Sequence, residues 1–187
     1  MSPILGIWAS SIQGSKATSF DSIATSTVGA GGSSSITFSS IPSTYKHLQI
    51  RAIYKTNNTN GGSTRITFNS DTGNNYASHY LLGDGSSASS SNVTSNPYIW
   101  AGVGDQSTSQ FGTCIIDILD YANTNKNKTI RSLAGVDNNG SGVVGLMSGV
   151  WLNTSAITSI TLTPQSNTTP ANTYLQYSHF ALYGIKG

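Results

Sequence analysis

Apolar and polar residues alternate over many short stretches of this chain, most clearly between residues 46 and 55. In that stretch the apolar side chains fall at every second position, namely at Leu48, Ile50, Ala52 and Tyr54. A period of two residues puts such side chains on one face of a β-strand and their neighbours on the opposite face. The pattern therefore predicts a strand with one face on a core and the other towards water.

Similar segments recur between clusters of Gly, Asn and Ser, and we count about ten candidate strands. They cover residues 19–28, 34–38, 46–55, 65–69, 76–82, 97–101, 111–119, 128–136, 142–152, 157–163 and 174–185. No segment shows the 3.6-residue period of an amphipathic helix. Short strands at regular spacing predict an all-β domain built as an antiparallel β-sandwich, and among sandwiches we expect a jelly roll.

Three local expectations depend on the residues within and between these strands. Segments 46–55 and 65–69 should pair as a hairpin, because the Asn60-Gly61 dipeptide between them favours the positive φ of hairpin turns. Residues 83–96 are rich in Ser, Gly and Asn and should form a long loop. Residues 111–119 are more continuously apolar, which predicts a strand buried on both faces.

The first 18 residues differ from the rest of the chain. An apolar patch of Ile4, Leu5, Ile7 and Trp8 precedes a Ser-rich stretch that shows no alternation. We predict that residues 1–18 form an extended arm anchoring the domain at 19–187 to a neighbouring subunit. The alternative is a first strand packed on its own domain. The apolar run is short and follows no positive charge, so we expect neither a signal peptide nor membrane insertion.

Charged residues are scarce. They make up 9% of the chain, against about 25% in typical soluble domains, and there is no Glu at all. The exposed faces of helices usually carry Glu, Lys and Arg, so this composition also favours strands. The net charge is +2 and no cluster of Lys and Arg is present. We therefore expect no nucleic-acid partner, since that would need a basic surface along the phosphate backbone.

The residues that could carry out chemistry form no recognisable catalytic motif. No zinc-binding pattern links the three histidines, which are His47, His79 and His179. Cys114 lies in an apolar run, which predicts a buried and inert thiol. Asp117 and Asp120 would face opposite sides of a strand and could not act as one acid–base pair. We therefore predict that the protein is not an enzyme, with a glycan hydrolase as the less favoured alternative.

The loop from Asn69 to Tyr76 is rich in oxygen ligands and could hold Ca²⁺. It contains a single acid, Asp71, and lacks the closing Glu of a tight calcium loop. Asn, Asp and Gly favour turns in any case. A hydrogen-bonded turn is therefore the preferred interpretation, and no cofactor is expected.

Aromatic residues near the predicted loops are the better indication of function. Aromatic faces beside amide and carboxylate groups can stack on sugars and form hydrogen bonds with them. Trp151 can equally be part of a sandwich core. The residues that could contact a glycan or another host molecule are Tyr80, Tyr98, Trp100, Asn74 and Asp84.

Six segments have a characteristic sequence, namely residues 4–11, 20–25, 35–51, 68–73, 116–121 and 180–186. They resemble a family of tailed-bacteriophage virion structural proteins, of the tail-fibre, baseplate or head-decoration type. The resemblance extends over nearly the whole chain and includes no catalytic motif.

This resemblance implies a structural protein on the exterior of the particle, made in the host bacterial cytoplasm and located in the virion. Its partners would be other virion proteins and further copies of itself, with a trimer as one form. The alternative function is a receptor-binding module of the tail that recognises host surface glycans.

Overall fold

The computed structural model describes residues 19–58, 62–105, 110–165 and 172–187. The expected arm, with Ile4, Leu5, Ile7 and Trp8, lies outside the described residues. Within those ranges there is no helix, and therefore none that could cross a membrane. The strands are β1 (Phe20–Thr27), β2 (Ile36–Phe38), β3 (His47–Tyr54), β4 (Gly62–Phe68), β5 (Tyr76–Gly83), β6 (Ala88–Asn96), β7 (Ile99–Asp105), β8 (Gly112–Leu119), β9 (Lys128–Asp137), β10 (Gly142–Trp151), β11 (Ile160–Pro164) and β12 (His179–Ile185).

The strands form two antiparallel sheets that pack face to face. The large sheet has eight strands in the order β1-β12-β3-β8-β9-β10-β5-β6. The small sheet has four strands in the order β2-β11-β4-β7. Strand β7 at the edge of the small sheet packs across β9 and β10, so most of β5 and β6 extends past that edge. The all-β sandwich that the alternating pattern predicts is confirmed.

The core lies between the two sheets. On β3 the residues at every second position are buried, as their spacing predicts, and Leu48, Ile50 and Tyr54 are fully inaccessible. Much of the remaining space is filled by two clusters of aromatic rings. One consists of Phe68, Tyr76 and Trp151, and the other of Tyr54, Tyr174 and Phe180. Trp151 is therefore a core residue.

The expected hairpin between residues 46–55 and 65–69 is wrong. Strand β3 pairs with β12 and β8 in the large sheet, whereas β4 pairs with β11 and β7 in the small one. The chain crosses from one sheet to the other between Tyr54 and Gly62. Each of the two strands has one apolar face, and burying these faces against each other requires the strands to lie in opposite layers.

The expected loop at residues 83–96 is also wrong over most of its length. A tight turn at 84–87 leads into β6, which pairs with β5 along the edge of the large sheet. Both faces of β6 are largely exposed, so its Ser and Asn side chains show no apolar alternation. Backbone pairing with β5 holds this strand in place, and that interaction leaves no hydrophobic pattern in the sequence.

The third local expectation, a strand buried on both faces at residues 111–119, is wrong as well. In β8 exposure alternates from residue to residue, and only one face is covered by the small sheet. Ile116 and Ile118 are inaccessible, whereas Ile115 and Leu119 are exposed. The large sheet therefore carries apolar side chains on its outer face as well as on its inner face.

Candidate functional surfaces

Arg65 on β4, Trp100 on β7 and Tyr98 just before β7 form a compact cluster on the outer face of the small sheet. We call Arg65, Tyr98 and Trp100 the Arg65 cluster. The guanidinium carbon of Arg65 lies 4.1 Å from the centroid of the Tyr98 ring and 5.0 Å from that of Trp100. The two rings meet edge to face with their centroids 5.4 Å apart. These are cation–π and aromatic contacts of ordinary geometry.

Local hydrogen bonds hold the Arg65 cluster in place. Trp100 pairs with Arg65 across the β4–β7 ladder. The backbone N–H of Trp100 donates to Ser78 Oγ on the large sheet, over 3.1 Å. The side-chain amide of Asn96 donates to the carbonyl of Tyr98, over 2.9 Å. The backbone of the cluster is thus fixed to both sheets.

Trp100 also lines a hollow of about 220 Å³ where the large sheet extends past β7. Tyr80 lies on the inner face of β5 and lines the same hollow from the other side, together with Leu82 and Met147. The structure therefore brings together three of the residues predicted to contact a glycan, namely Tyr80, Tyr98 and Trp100. Arg65, which sequence reasoning missed, completes the group.

The other two predicted contact residues lie elsewhere. Asn74 precedes β5 and Asp84 follows it, so the length of the whole strand, roughly 25 Å for eight residues, separates them. Asp84 Oδ1 accepts the backbone N–H groups of Ser86 and Ser87, at 2.8 and 2.7 Å. These bonds, led by the one from Ser87, lower the pKa of Asp84. Asp84 thus stabilises the β5–β6 turn. Neither Asn74 nor Asp84 lies with Tyr80, Tyr98 and Trp100.

The loop from Asn69 to Tyr76 is organised around Asp71. One carboxylate oxygen of Asp71 accepts the indole N–H of Trp151 at 2.7 Å, and the other accepts the backbone N–H of Gly73 at 2.8 Å. The side-chain amide of Asn75 donates to both oxygens. The hydrogen bond from Trp151 is the main reason why the pKa of Asp71 is lowered. The carboxylate therefore stabilises a hydrogen-bonded turn and connects that turn to the core through Trp151.

Several of the residues considered for catalysis have a structural role. Cys114 is buried, and burial raises the pKa of its thiol to about 12. His47 Nδ1 accepts the backbone N–H of Asp120 over 2.9 Å. Contacts with Lys126 first and Lys46 second lower the pKa of Asp120 to about 2. Among the described residues, no three His, Cys or Asp side chains lie close enough to hold a metal ion.

A second surface lies on the outer face of the large sheet, and sequence reasoning missed it. The strand register aligns Ile115 with Leu133, Leu133 with Leu146, and Leu146 with Leu81. We call these four residues, on the adjacent strands β8, β9, β10 and β5, the apolar row. They are 44–55% exposed. The signal was present in the sequence as apolar residues at both odd and even positions of the predicted strands.

Polar groups border the apolar row and contact one another. Asp117 accepts hydrogen bonds from Arg131 at 3.0 Å and from the side-chain amide of Gln49 at 2.8 Å. Arg51 Nε donates to Gln49 Oε1 over 2.8 Å, and its guanidinium packs on the rings of Phe20 and Tyr183. The charges on this face thus have partners within the same face.

No protein-family model, no curated protein and no solved structure matches this chain. The resemblance to bacteriophage virion proteins therefore stays a prediction.

Proposed function

We propose that this protein is a non-enzymatic structural component of a tailed-bacteriophage particle, displayed on its exterior as part of a tail fibre or baseplate or as a capsid decoration. The observation that carries this proposal is the order of the strands in the two sheets. It is consistent with a jelly roll, an architecture that recurs in viral capsid proteins and lectins.

The jelly-roll interpretation follows from nested strand pairs. The first strand pairs with the last (β1 with β12), and the second pairs with the last but one (β2 with β11). Inside these pairs, β3 lies between β12 and β8, and β4 lies between β11 and β7. Two four-stranded sheets, β1-β12-β3-β8 and β2-β11-β4-β7, result from this nesting. The hairpins β5–β6 and β9–β10 then count as insertions that widen one sheet.

Composition and sequence support the same function. A surface with few charges and many hydroxyl and amide groups relies on shape and hydrogen bonds, which suits a protein packed among other virion proteins. The N-terminal arm, through Ile4, Leu5, Ile7 and Trp8, would anchor the domain to a neighbouring subunit. An extended apolar segment can do so by adding a strand to a neighbour's sheet. Many copies on one particle then bind with high avidity.

Location on whole particles is the direct test of the proposed function. Gold-labelled antibodies against the purified chain should bind purified phage particles at regular positions on the head or the tail. Deleting residues 1–14 should abolish incorporation while the remaining domain stays folded, as measured by circular dichroism. Particles that contain no copy of the protein would refute the structural role, and normal incorporation of the truncated chain would refute the anchor.

A second function, recognition of host surface glycans, is favoured by the Arg65 cluster. Rings, a guanidinium and neighbouring hydroxyl groups can together stack on a sugar and form hydrogen bonds with it. The rest of the outer face of the small sheet adds hydroxyl groups, with Thr37 Oγ1 and Thr161 Oγ1 at 3.1 Å from each other. No receptor is needed for the structural role, so this function would be an addition to it.

A glycan array probed with the full chain tests the recognition function. Replacing Trp100 by Ala should weaken binding to the recognised glycan by about tenfold or more, because a stacking ring is lost. Tyr177→Asn removes an exposed aromatic ring outside the cluster, so it is the matched control and should bind as the wild type does. Absence of binding to any host glycan would refute the recognition function and leave the structural role as the single proposed function.

A further inference from the structure

The centre of the outer face of the large sheet is an apolar surface. Two further exposed side chains, Ile53 and Val144, extend the apolar row towards one end of its strands. Together the six side chains expose on the order of 500 Å² of apolar surface, which is at the upper end for a monomeric protein. The largest apolar patch of a monomer often has a function, and larger patches mark surfaces that bind another macromolecule.

We propose that this face is the contact between two copies of the chain, which pack their large sheets against each other. The inference concerns self-association and holds whether or not the protein belongs to a phage particle. Three observations point to a second copy as the occupant: the contacts that the charged groups already make within the chain, the area of the face and its shape.

Most of the charge beside the apolar row is compensated within the chain. Asp117 is bound by Arg131 and Gln49, so these two opposite charges cancel. Arg51 is held by Gln49 and by two aromatic rings, and it is the one charge of this group that the contact would cover without an acidic partner. A covered charge that also lacked these contacts would oppose association more strongly. The face also has no excess of one charge that would select a nucleic acid or a strongly charged protein.

The face is large enough for a stable dimer. Its eight strands, about 4.8 Å apart and about seven residues long, cover on the order of 900 Å². A stable interface buries about 800 Å² on each partner. The available face is thus comparable with what a specific pair of proteins needs.

The shape of the face permits side chains to interdigitate. Two shallow hollows lie on it, of about 560 Å³ beside Ile115 and Leu133 and of about 680 Å³ beside Leu81 and Leu146. Two packed sheets interdigitate their side chains at a separation of about 10 Å. The leucines of a second copy would fill these hollows. An interface in which one face binds its own copy closes at two chains, so it predicts a dimer.

Sedimentation equilibrium of the full chain tests this proposal. The wild type should sediment as twice the chain mass of 19.5 kDa at micromolar concentrations. Leu133→Arg should raise the dimer dissociation constant by about a hundredfold, because it buries a charge that lacks a partner. The pair Leu133→Thr and Leu146→Thr preserves β-propensity and should raise it by about tenfold or more.

Tyr177→Asn is the control for loss of an exposed apolar side chain outside this face. Tyr177 is 70% exposed and its φ is 71°, a conformation that Asn adopts readily. This variant should keep the wild-type dimer, and all variants should keep the strand signal in circular dichroism. A monomeric or trimeric wild type would overturn the proposal. So would a dimer that neither the arginine nor the paired threonine substitutions weaken.

Discussion

The inner and the outer face of the large sheet carry similar residues but differ in what covers them. On β8 the inner residues Ile116 and Ile118 are inaccessible under the small sheet, while Ile115 and Leu119 on the outer face are exposed. On β10 the inner Trp151 is buried and the outer Leu146 is half exposed. Side-chain chemistry alone therefore does not distinguish the core from the apolar surface. The position of the second sheet does.

The largest expected effect on stability comes from comparing two neighbouring residues of β8, one on each face of the sheet. Ile116→Ala should lower the free energy of unfolding by about 2–5 kcal/mol, because it leaves a cavity between the sheets. Ile115→Ala should cost less than about 1 kcal/mol, because its side chain already contacts water in the monomer. Urea unfolding at low protein concentration measures both. Equal losses for the two variants would mean that the two faces are covered alike.

Two glycines give a second matched pair, on the inner face of β10 and the outer face of β5. A Cβ added to Gly149 would lie 2.3 Å from the Cγ2 atom of buried Ile99, whereas one added to Gly83 would lie 3.7 Å from Val144. Gly149→Ala should therefore cost about 1–3 kcal/mol through overpacking. Gly83→Ala should change the free energy of unfolding by less than about 0.5 kcal/mol. Thermal unfolding of both variants would reveal a close approach only at the inner position.

A third prediction concerns the hydrogen bond between Asp71 and the indole of Trp151, which ties an exposed loop to the inner face. Asp71→Asn should cost about 1.5–3 kcal/mol at neutral pH, since the bond is to a charged carboxylate. The folded pKa of Asp71 lies below that of the unfolded chain, so its ionic contribution is present above about pH 4. That contribution is lost as the pH falls through the folded pKa.

Urea unfolding of the wild type and of Asp71→Asn at pH 7 and at pH 3 separates this effect from the loss of packing. The difference between the two proteins should be larger at pH 7 than at pH 3. A difference that does not depend on pH would show that the carboxylate charge contributes nothing.

The smallest effect is expected for the outer face of the monomer. Leu81→Thr should change the free energy of unfolding by less than about 0.5 kcal/mol at protein concentrations too low for dimers. At high concentration the wild type should gain stability by mass action, and the variant should gain less. Midpoints of urea unfolding measured over a concentration series check this. If the wild-type midpoint does not change with concentration, the apolar row is not buried by association.

Sequence patterns identify the alternating faces but not the assembly of the strands. The period of two on β3 correctly places Leu48, Ile50 and Tyr54 in the core, because alternation along a strand is a local property. The turn signal at Asn60-Gly61 suggests a hairpin, yet which strands pair depends on how two apolar faces meet. For β6 the sequence contains no apolar signal, because neighbouring backbone alone holds that strand.

The candidate contact residues also differ in whether the sequence or only the fold brings them together. Tyr98 and Trp100 lie two positions apart, so a strand places them on the same side, and this could be expected from the sequence. Arg65 and Tyr80 join them from β4 and β5, which precede β7 in the chain and belong to different sheets. Residue type alone groups Asn74 and Asp84 with them, yet the length of β5 holds these two residues apart.

By itself the sequence determines that this chain is an all-β sandwich, because alternation, turn residues and scarce helix formers act locally. Which apolar face becomes core is decided only when the small sheet covers one side of β8, β9 and β10. The same holds for Lys128, whose ammonium is buried and donates to the carbonyls of Asn123, Lys126 and Thr154. A charge can be buried there only because the fold brings three hydrogen-bond acceptors to it. No local sequence pattern predicts that these acceptors surround Lys128.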